Sequence, residues 1–261
     1  MPLSNFQKLI LQLIAKNRNP DSYLAGGTAI NRSPSSLRYS KDIDLFHDLD
    51  EAVQAASVAD ISTLRQAGYS VRIILQQPAF VRGLVSRDAD SVKLEWVQDS
   101  AFRFFPVIED PELGYCLHDI DLATNKCLAL ANRSEVRDII DLTQLHERVL
   151  SLPAIIWASC GKDPGFTPQL LLEQLARNSR FSPIQLKAEQ LRQALDPVSL
   201  KKEWLSLLAY ARDHIEKFPA GQLGCIYVRA DGSVVQAPEK ADLTSLKPHW
   251  GTVRGAWPRI V

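Results

Sequence analysis

Phe6, Leu9, Ile10, Leu13 and Ile14 recur at helical spacing and predict an amphipathic helix over residues 6–16. The polar stretch 17–21, with Pro20 inside it, ends that helix. Residues 23–25 predict a short buried strand, Gly26-Gly27 a turn, and Thr28 onward a second helix closed by Pro34 and its serines. An apolar run at 43–46 with carboxylates at alternate positions predicts the next strand. The alanine-rich stretch 51–67 predicts a helix capped by Gly68. Residues 69–75 predict a strand, and 78–87 fit either a strand or a helix. In 91–97 Val92, Leu94 and Trp96 take one face of a strand and Lys93 and Glu95 the other. Residues 102–108 predict a further strand, or an edge segment interrupted by Pro106.

The pattern then changes. Residues 122–131 and 135–150 read as helices with a break at Asn132-Arg133-Ser134. After a loop at 164–168, helices are expected at 168–177, 183–194 and 197–217, each opening at or near a proline. Residues 226–236 predict a hairpin turning at Asp231-Gly232. Residues 250–261 show no periodicity and are expected to be a mobile end or a contact arm. The expected fold is α/β (α+β): a mixed β-sheet flanked by helices over residues 1–120, then a mainly helical region, 121–261, with a late β-hairpin. The helix around Lys126 is expected to complete the cleft of the first region.

With 261 residues, 46% of them hydrophobic, the chain can build one large core or two modest ones. Equal numbers of basic and acidic residues, 30 each, argue against a protein that coats nucleic acid indiscriminately. Residues 1–120 carry 12 Lys+Arg against 15 Asp+Glu, leaving 18 against 15 for residues 121–261. The second half is thus mildly basic. Cys116, Cys127, Cys160 and Cys225 form no C-x-x-C pair and read as reduced, buried thiols of a cytoplasmic protein. No apolar run is long enough to span a membrane, and the first residues do not resemble a secretory signal.

The chemistry concentrates around residues 24–46. Side chains two apart on a strand share a face, so Asp42 and Asp44 point the same way while Ile43 and Leu45 enter a core. Two such carboxylates, about 6–7 Å apart at their Cα atoms, repel unless a cation or proton lies between them. Magnesium, or manganese, suits an all-oxygen site that also holds phosphate. The pair therefore points to metal-assisted chemistry on a nucleotide, although a D-x-D also occurs as a solvated strand end. Glu95, on its own strand, completes a second metal site or serves as base if that strand lies beside the first. Gly26 and Gly27 let phosphate approach the backbone, and Thr28 opens a helix whose N–H groups favour an anion; a plain tight turn is the simpler account. Neither a Walker A loop nor a dinucleotide fingerprint is present.

Cations surround this core of acids. Arg38 and Lys41 flank the carboxylate strand. Lys126, Arg133 and Arg137 share a face if their helix is unbroken, and that face either grips a triphosphate or is a solvated basic stripe. Asp138 and Asp141 either orient those cations, assist a metal, or serve solubility. His118 with Asp119 and Asp121 lacks a second histidine at zinc-ligand spacing. His47, His146 and His214, Cys127 and the aromatic residues at 96 and 102–105 read as packing residues rather than as ligands, nucleophile or stacking platform.

Three segments together carry a family resemblance: Ala25-Gly-Gly-Thr-Ala29, Arg38-Tyr-Ser-Lys-Asp-Ile-Asp-Leu-Phe46, and the element from Lys126 through Arg133, Arg137 and Asp138 to Leu142. Over roughly residues 20–150 the chain resembles the AbiEii/AbiGii-type nucleotidyltransferase toxins of the DNA polymerase β-like superfamily. The resemblance implies Asp42 and Asp44 as metal-binding carboxylates, Glu95 as the third acid, Lys126 as a phosphate contact and Asp138 as a required acid. It also implies an NTP co-substrate, an acceptor at the 3′ end of tRNA or on a protein, and, for a toxin of a type IV toxin–antitoxin system, a cognate antitoxin.

The resulting expectation is a metal-dependent nucleotidyltransferase that releases pyrophosphate, with Gly26, Gly27, Thr28, Arg38, Lys41, Arg133 and Arg137 on the nucleotide. tRNA comes first as acceptor; the near-zero net charge also suits a protein hydroxyl, and a small molecule is third. The non-enzyme alternative is a degenerate member that binds nucleotide or a partner without turnover.

Overall fold

The computed structural model describes residues 3–259, which divide into two compact units. The first holds the residues up to Ala101 together with Pro106–His118. It opens with α1 (Asn5–Ile14), continued by a 3-10 turn at Ala15–Asn17. The Ser4 hydroxyl accepts from the Gln7 N–H, and the Gln7 side chain accepts from the Ser4 N–H. This reciprocal cap fixes the start of the helix. Phe6, Ile10, Leu11 and Ile14 are its buried stripe.

The chain continues through β1 (Ser22–Ala25), α2 (Gly26–Ile30), β2 (Asp42–His47), α3 (Asp50–Gln66), β3 (Ser70–Gln77), β4 (Phe80–Arg87) and β5 (Asp90–Gln98). The short β6 (Phe102–Arg103) belongs to the second unit; β7 (Ile108–Asp110) and β8 (Gly114–Cys116) return to the first. Seven strands form one mixed sheet in the order β3-β4-β5-β2-β1-β8-β7. Ile43, Leu45, Leu94 and Trp96 are fully buried, as alternation in β2 and β5 requires. The ambiguous stretch 78–87 is a strand because it forms a hairpin with β5, Arg82 opposite Glu95 and Val85 opposite Val92. Behind the sheet the Trp96 indole donates to Asp60 of α3 at 2.7 Å, and Arg18 pairs with the same carboxylate at 2.5 Å. Asn17 supplies a third bond to it at 2.8 Å, so the buried charge is satisfied.

The second unit holds Phe102–Phe105 and the residues from Asp119 onward. Its helices are α4 (Asp119–Asn132), α5 (Val136–Arg148), α6 (Leu152–Lys162), α7 (Pro168–Asn178), α8 (Pro183–Lys187) and α9 (Pro197–Ile215). It ends with strands β9 (Cys225–Val228), β10 (Lys247–Trp250) and β11 (Thr252–Val253). α4 packs on α5, α6 and α7, and α9 closes over α5, α6 and α7. α6 was not foreseen from sequence: it is buried nearly all round, so no polar face marks its period. The helix expected at 183–194 stops at Lys187: Leu186 is its one buried residue, and none of residues 187–195, Leu191 and Leu195 included, is buried.

The expected late hairpin forms differently. The turn at Asp231-Gly232 is present, with Gly232 at φ 81° and its N–H donating to the Arg229 carbonyl. Its second arm makes only an isolated bridge, Val228 to Val234. The partner of β9 is β10, which the sequence reading left without structure. Ile260 and Val261, part of that expected end segment, lie outside the described residues.

Candidate active site

β2 sets the geometry of the first unit's site. On one side it pairs antiparallel with β1, Ala25 opposite Asp44; on the other it runs parallel to β5, Asp42 beside Lys93 and Asp44 beside Glu95. Asp42 and Asp44 are half-buried on one face, while Ile43, Leu45 and His47 are fully buried on the other. The shared face expected from the i, i+2 spacing is therefore present. Glu95 is in register with Asp44, but its Oε1 accepts from Arg82 Nε at 2.7 Å. Lys93 Nζ lies 3.1 Å from Asp42 Oδ1. Among the described residues no three His, Cys, Asp or Glu side chains gather as a metal-ligand cluster.

The glycine turn has a steric reason of its own. Gly26 has φ 60°, a left-handed conformation that a side chain disfavours. A Cβ there would lie inside the Asp44 carboxylate. A Cβ on Gly27 would come within 2.9 Å of the Arg38 guanidinium and 3.1 Å of the Ser40 hydroxyl. The space freed by the two glycines is thus taken by the chain's own acid and base. Thr28 is fully buried, and its hydroxyl donates to the Asp42 carbonyl. Ser40 Oγ donates to the same carbonyl at 3.0 Å, and Gln7 Nε2 donates to the Ser40 carbonyl at 2.8 Å. Gln7, Ser40, Lys93 and Arg82 were not among the expected site residues. Two of them act through backbone carbonyls, which leave no trace in side-chain spacing. Arg38 is buried beside the turn, with Nη1 donating to the Tyr39 carbonyl at 3.1 Å, whereas Lys41 is exposed.

Lys126 and Asp138 meet in the second unit. Lys126 Nζ contacts Asp138 Oδ1 at 2.8 Å and Asp141 Oδ2 at 3.0 Å, and all three side chains are buried. Arg133 makes a two-pronged contact with Asp138, at 2.8 and 3.1 Å. Burial pushes the Asp138 carboxyl up, but the Lys126 ammonium and the Arg133 guanidinium outweigh it and hold the group below the usual carboxylate range. The break expected at Asn132-Arg133-Ser134 is present, so the condition for one helical face shared by Lys126, Arg133 and Arg137 is not met. α4 ends at Asn132, where the Asn178 amide caps the carbonyls of Leu130 and Ala131, and Arg133 lies between the helices. Lys126 and Arg133 converge on Asp138 from separate segments instead, while Arg137 is half-buried on α5.

The four cysteines are free and buried. Burial pushes the Cys127 and Cys160 thiols up to about 12 and that of Cys225 up to about 11, so none of these three supplies a thiolate nucleophile. No helix among the described residues is long and apolar enough to cross a membrane.

A mixed sheet that carries paired aspartates beside a glycine turn has the form of a nucleotidyltransferase core. Two solved structures share the fold. MenT4, a nucleotidyltransferase toxin from Mycobacterium tuberculosis H37Rv, aligns at 14% identity and TM-score 0.55, covering 83% of each chain. JHP933 from Helicobacter pylori aligns at 19% identity and TM-score 0.53, covering 82% of this chain and 95% of its own. No curated protein gives a significant match. The profile described as "Nucleotidyl transferase AbiEii toxin, Type IV TA system" matches residues 9–218. The chain belongs to that family, and its activity is NTP-dependent nucleotidyl transfer. Membership in a toxin family implies an antitoxin partner.

Proposed function

We propose that this chain transfers a nucleoside monophosphate from an NTP to the 3′ end of tRNA in the cytoplasm, with Asp42 and Asp44 as its catalytic carboxylates. The observation that carries the reading is the placement of Asp42 and Asp44 on one face of β2 with Gly26 making room for the second carboxylate. These residues fit a divalent cation. They are hard oxygen donors on one strand face, and Asp42 Oδ1 is buried with the Lys93 ammonium beside it. Magnesium bound there supplies charge neutralisation to the phosphates and the departing pyrophosphate.

The protein's own groups do the rest. Thr28 and Ser40 fix the Asp42 carbonyl, so the strand cannot shift under the charge of a nucleotide. Arg38, buried beside the turn, and the exposed Lys41 add positive charge next to the Gly26-Gly27 turn. Glu95, held by Arg82, either assists the metal or takes the proton of the attacking hydroxyl. In the second unit Asp138 and Asp141 hold the buried Lys126 ammonium in one place.

The test is to incubate the protein with magnesium, each α-labelled NTP and total RNA, then separate RNA from protein. Label in the tRNA band, removed by trimming the 3′ end, supports the reading. Label confined to protein, or no consumption of any NTP, overturns it.

A further inference from the structure

We infer that Lys93 is an exchangeable counter-ion: it yields Asp42 to a divalent cation and carries its ammonium to the phosphates that arrive with that cation. This role deepens the proposed transfer chemistry and rests on Asp42 and Asp44 being its metal carboxylates. Strand register brings the groups together. Asp42 of β2 pairs with Lys93 of β5, Lys93 with Leu84 of β4, and Leu84 with Arg72 of β3. The next row on the same face runs Asp44, Glu95, Arg82. Residues paired across a sheet share a face, so each row sets one acid of β2 beside the charged side chains of its neighbours. The other face of these strands holds the buried Val85, Leu94 and Trp96, and α3 packs against it.

The two cations differ in how they are held. Arg82 Nε contacts Glu95 Oε1 at 2.7 Å, and its guanidinium carbon stands 5.0 Å over the centre of the Phe80 ring. Stacked on one side and paired on the other, Arg82 is fixed in place. Lys93 Nζ lies 3.1 Å from Asp42 Oδ1, and its side chain is 50% exposed. An ion pair this open contributes little, and salt screens it further. Lys93 can therefore leave Asp42 with little loss. A divalent cation forces the exchange: whichever Asp42 oxygen holds it, two positive centres crowd one carboxylate, and the doubly charged one prevails. The displaced side chain ends in a compact ammonium with three donors on a flexible four-carbon stem, a form suited to phosphate oxygens. Cation and triphosphate then favour the same position of Lys93, so each strengthens the binding of the other.

Two probes test the exchange on the full chain without turnover: manganese alone, followed through the spin resonance of the free ion, and magnesium tripolyphosphate, followed by calorimetry. Lys93→Gln is expected to bind manganese about two- to fivefold more tightly than the parent, the fold-change that matches loss of an exposed ion pair. The same variant is expected to bind magnesium tripolyphosphate about tenfold more weakly. Its melting curve should stay at the parent's, because the side chain is half-exposed; Lys93→Met, which keeps the stem, should behave alike. Arg72→Gln is the control for charge alone. Arg72 is exposed and three strand spacings from Asp42, about 14 Å, beyond the screening length of about 8 Å in physiological salt. It should leave manganese affinity at the parental value, and Asp42→Asn should abolish the binding. Unchanged or weaker manganese binding by folded Lys93→Gln, an equal gain in Arg72→Gln, manganese binding that survives Asp42→Asn, or parental tripolyphosphate affinity in Lys93→Gln overturns the role given to Lys93. Failure of this role and failure of the transfer reading are distinguishable. A chain that labels tRNA while Lys93→Gln binds manganese as the parent does keeps the activity and loses the exchange; one that shows both shifts yet labels no RNA keeps the exchange and loses the acceptor.

Discussion

Gly26 and Asp44 occupy one another's space: the hydrogen where a Cβ would stand faces the Asp44 carboxylate, and the φ of 60° at Gly26 is what brings the turn against β2. Glycine is thus required twice at this position, for its conformation and for the acid beside it. Gly26→Ala is expected to cost about 1–2 kcal/mol in stability from the left-handed backbone. It should lower transfer by about a hundredfold or more, because the carboxylate must move by about an ångström. Thermal unfolding and initial rates on the same preparation check both figures. A variant of wild-type rate would show that Asp44 needs no fixed position.

The bonds that converge on the Asp42 carbonyl make a second prediction. Ser40→Ala removes one hydroxyl and Gln7→Leu removes the donor to the Ser40 carbonyl together with the side-chain acceptor of the Ser4 N–H in the cap of α1. Each lost bond is expected to cost about 0.5–1.5 kcal/mol in stability. If these residues position Asp42, kcat falls while KM for NTP holds, and Ser40→Thr restores the rate. Loss of stability with kcat untouched would reduce them to structural ties.

Asp138 gives a prediction in pH. Its pKa is lowered in the folded chain, so it binds a proton less readily folded than unfolded. Its stabilisation is therefore complete above the unfolded value of about 3.9 and is lost as pH falls through the lower folded value. Asp138→Asn is expected to destabilise the second unit by about 3–5 kcal/mol near neutral pH, because it weakens a buried cluster holding two cations. The deficit relative to the parent should shrink in acid below about pH 4. Unfolding curves across that range check the sign; a deficit that grows in acid would contradict it.

Much of the carboxylate strand was legible in sequence, because alternation of Asp42, Ile43, Asp44 and Leu45 has one reading on a half-buried sheet. Long periodic helices such as α1, α3 and α9 were equally plain. What escaped notice was of two physical kinds. α6 has no polar face, so its buried residues carry no period. The pairs Arg82–Glu95 and Lys93–Asp42 depend on hairpin and parallel register, which spacing along one strand does not reveal. The Thr28 and Ser40 hydroxyls reach a backbone carbonyl, an acceptor every residue has. The break after Asn132 was suspected, but its cause, the Asn178 cap, lies 46 residues further along the chain.

The central claim is that Asp42 and Asp44 carry the reaction, and single-turnover transfer by Asp44→Asn tests it most directly. Asparagine keeps the shape and removes the charge, so the melting temperature should stay close to the parent's while transfer from labelled NTP falls by about a thousandfold or more. A folded Asp44→Asn chain that consumes NTP at the parental rate would contradict the account.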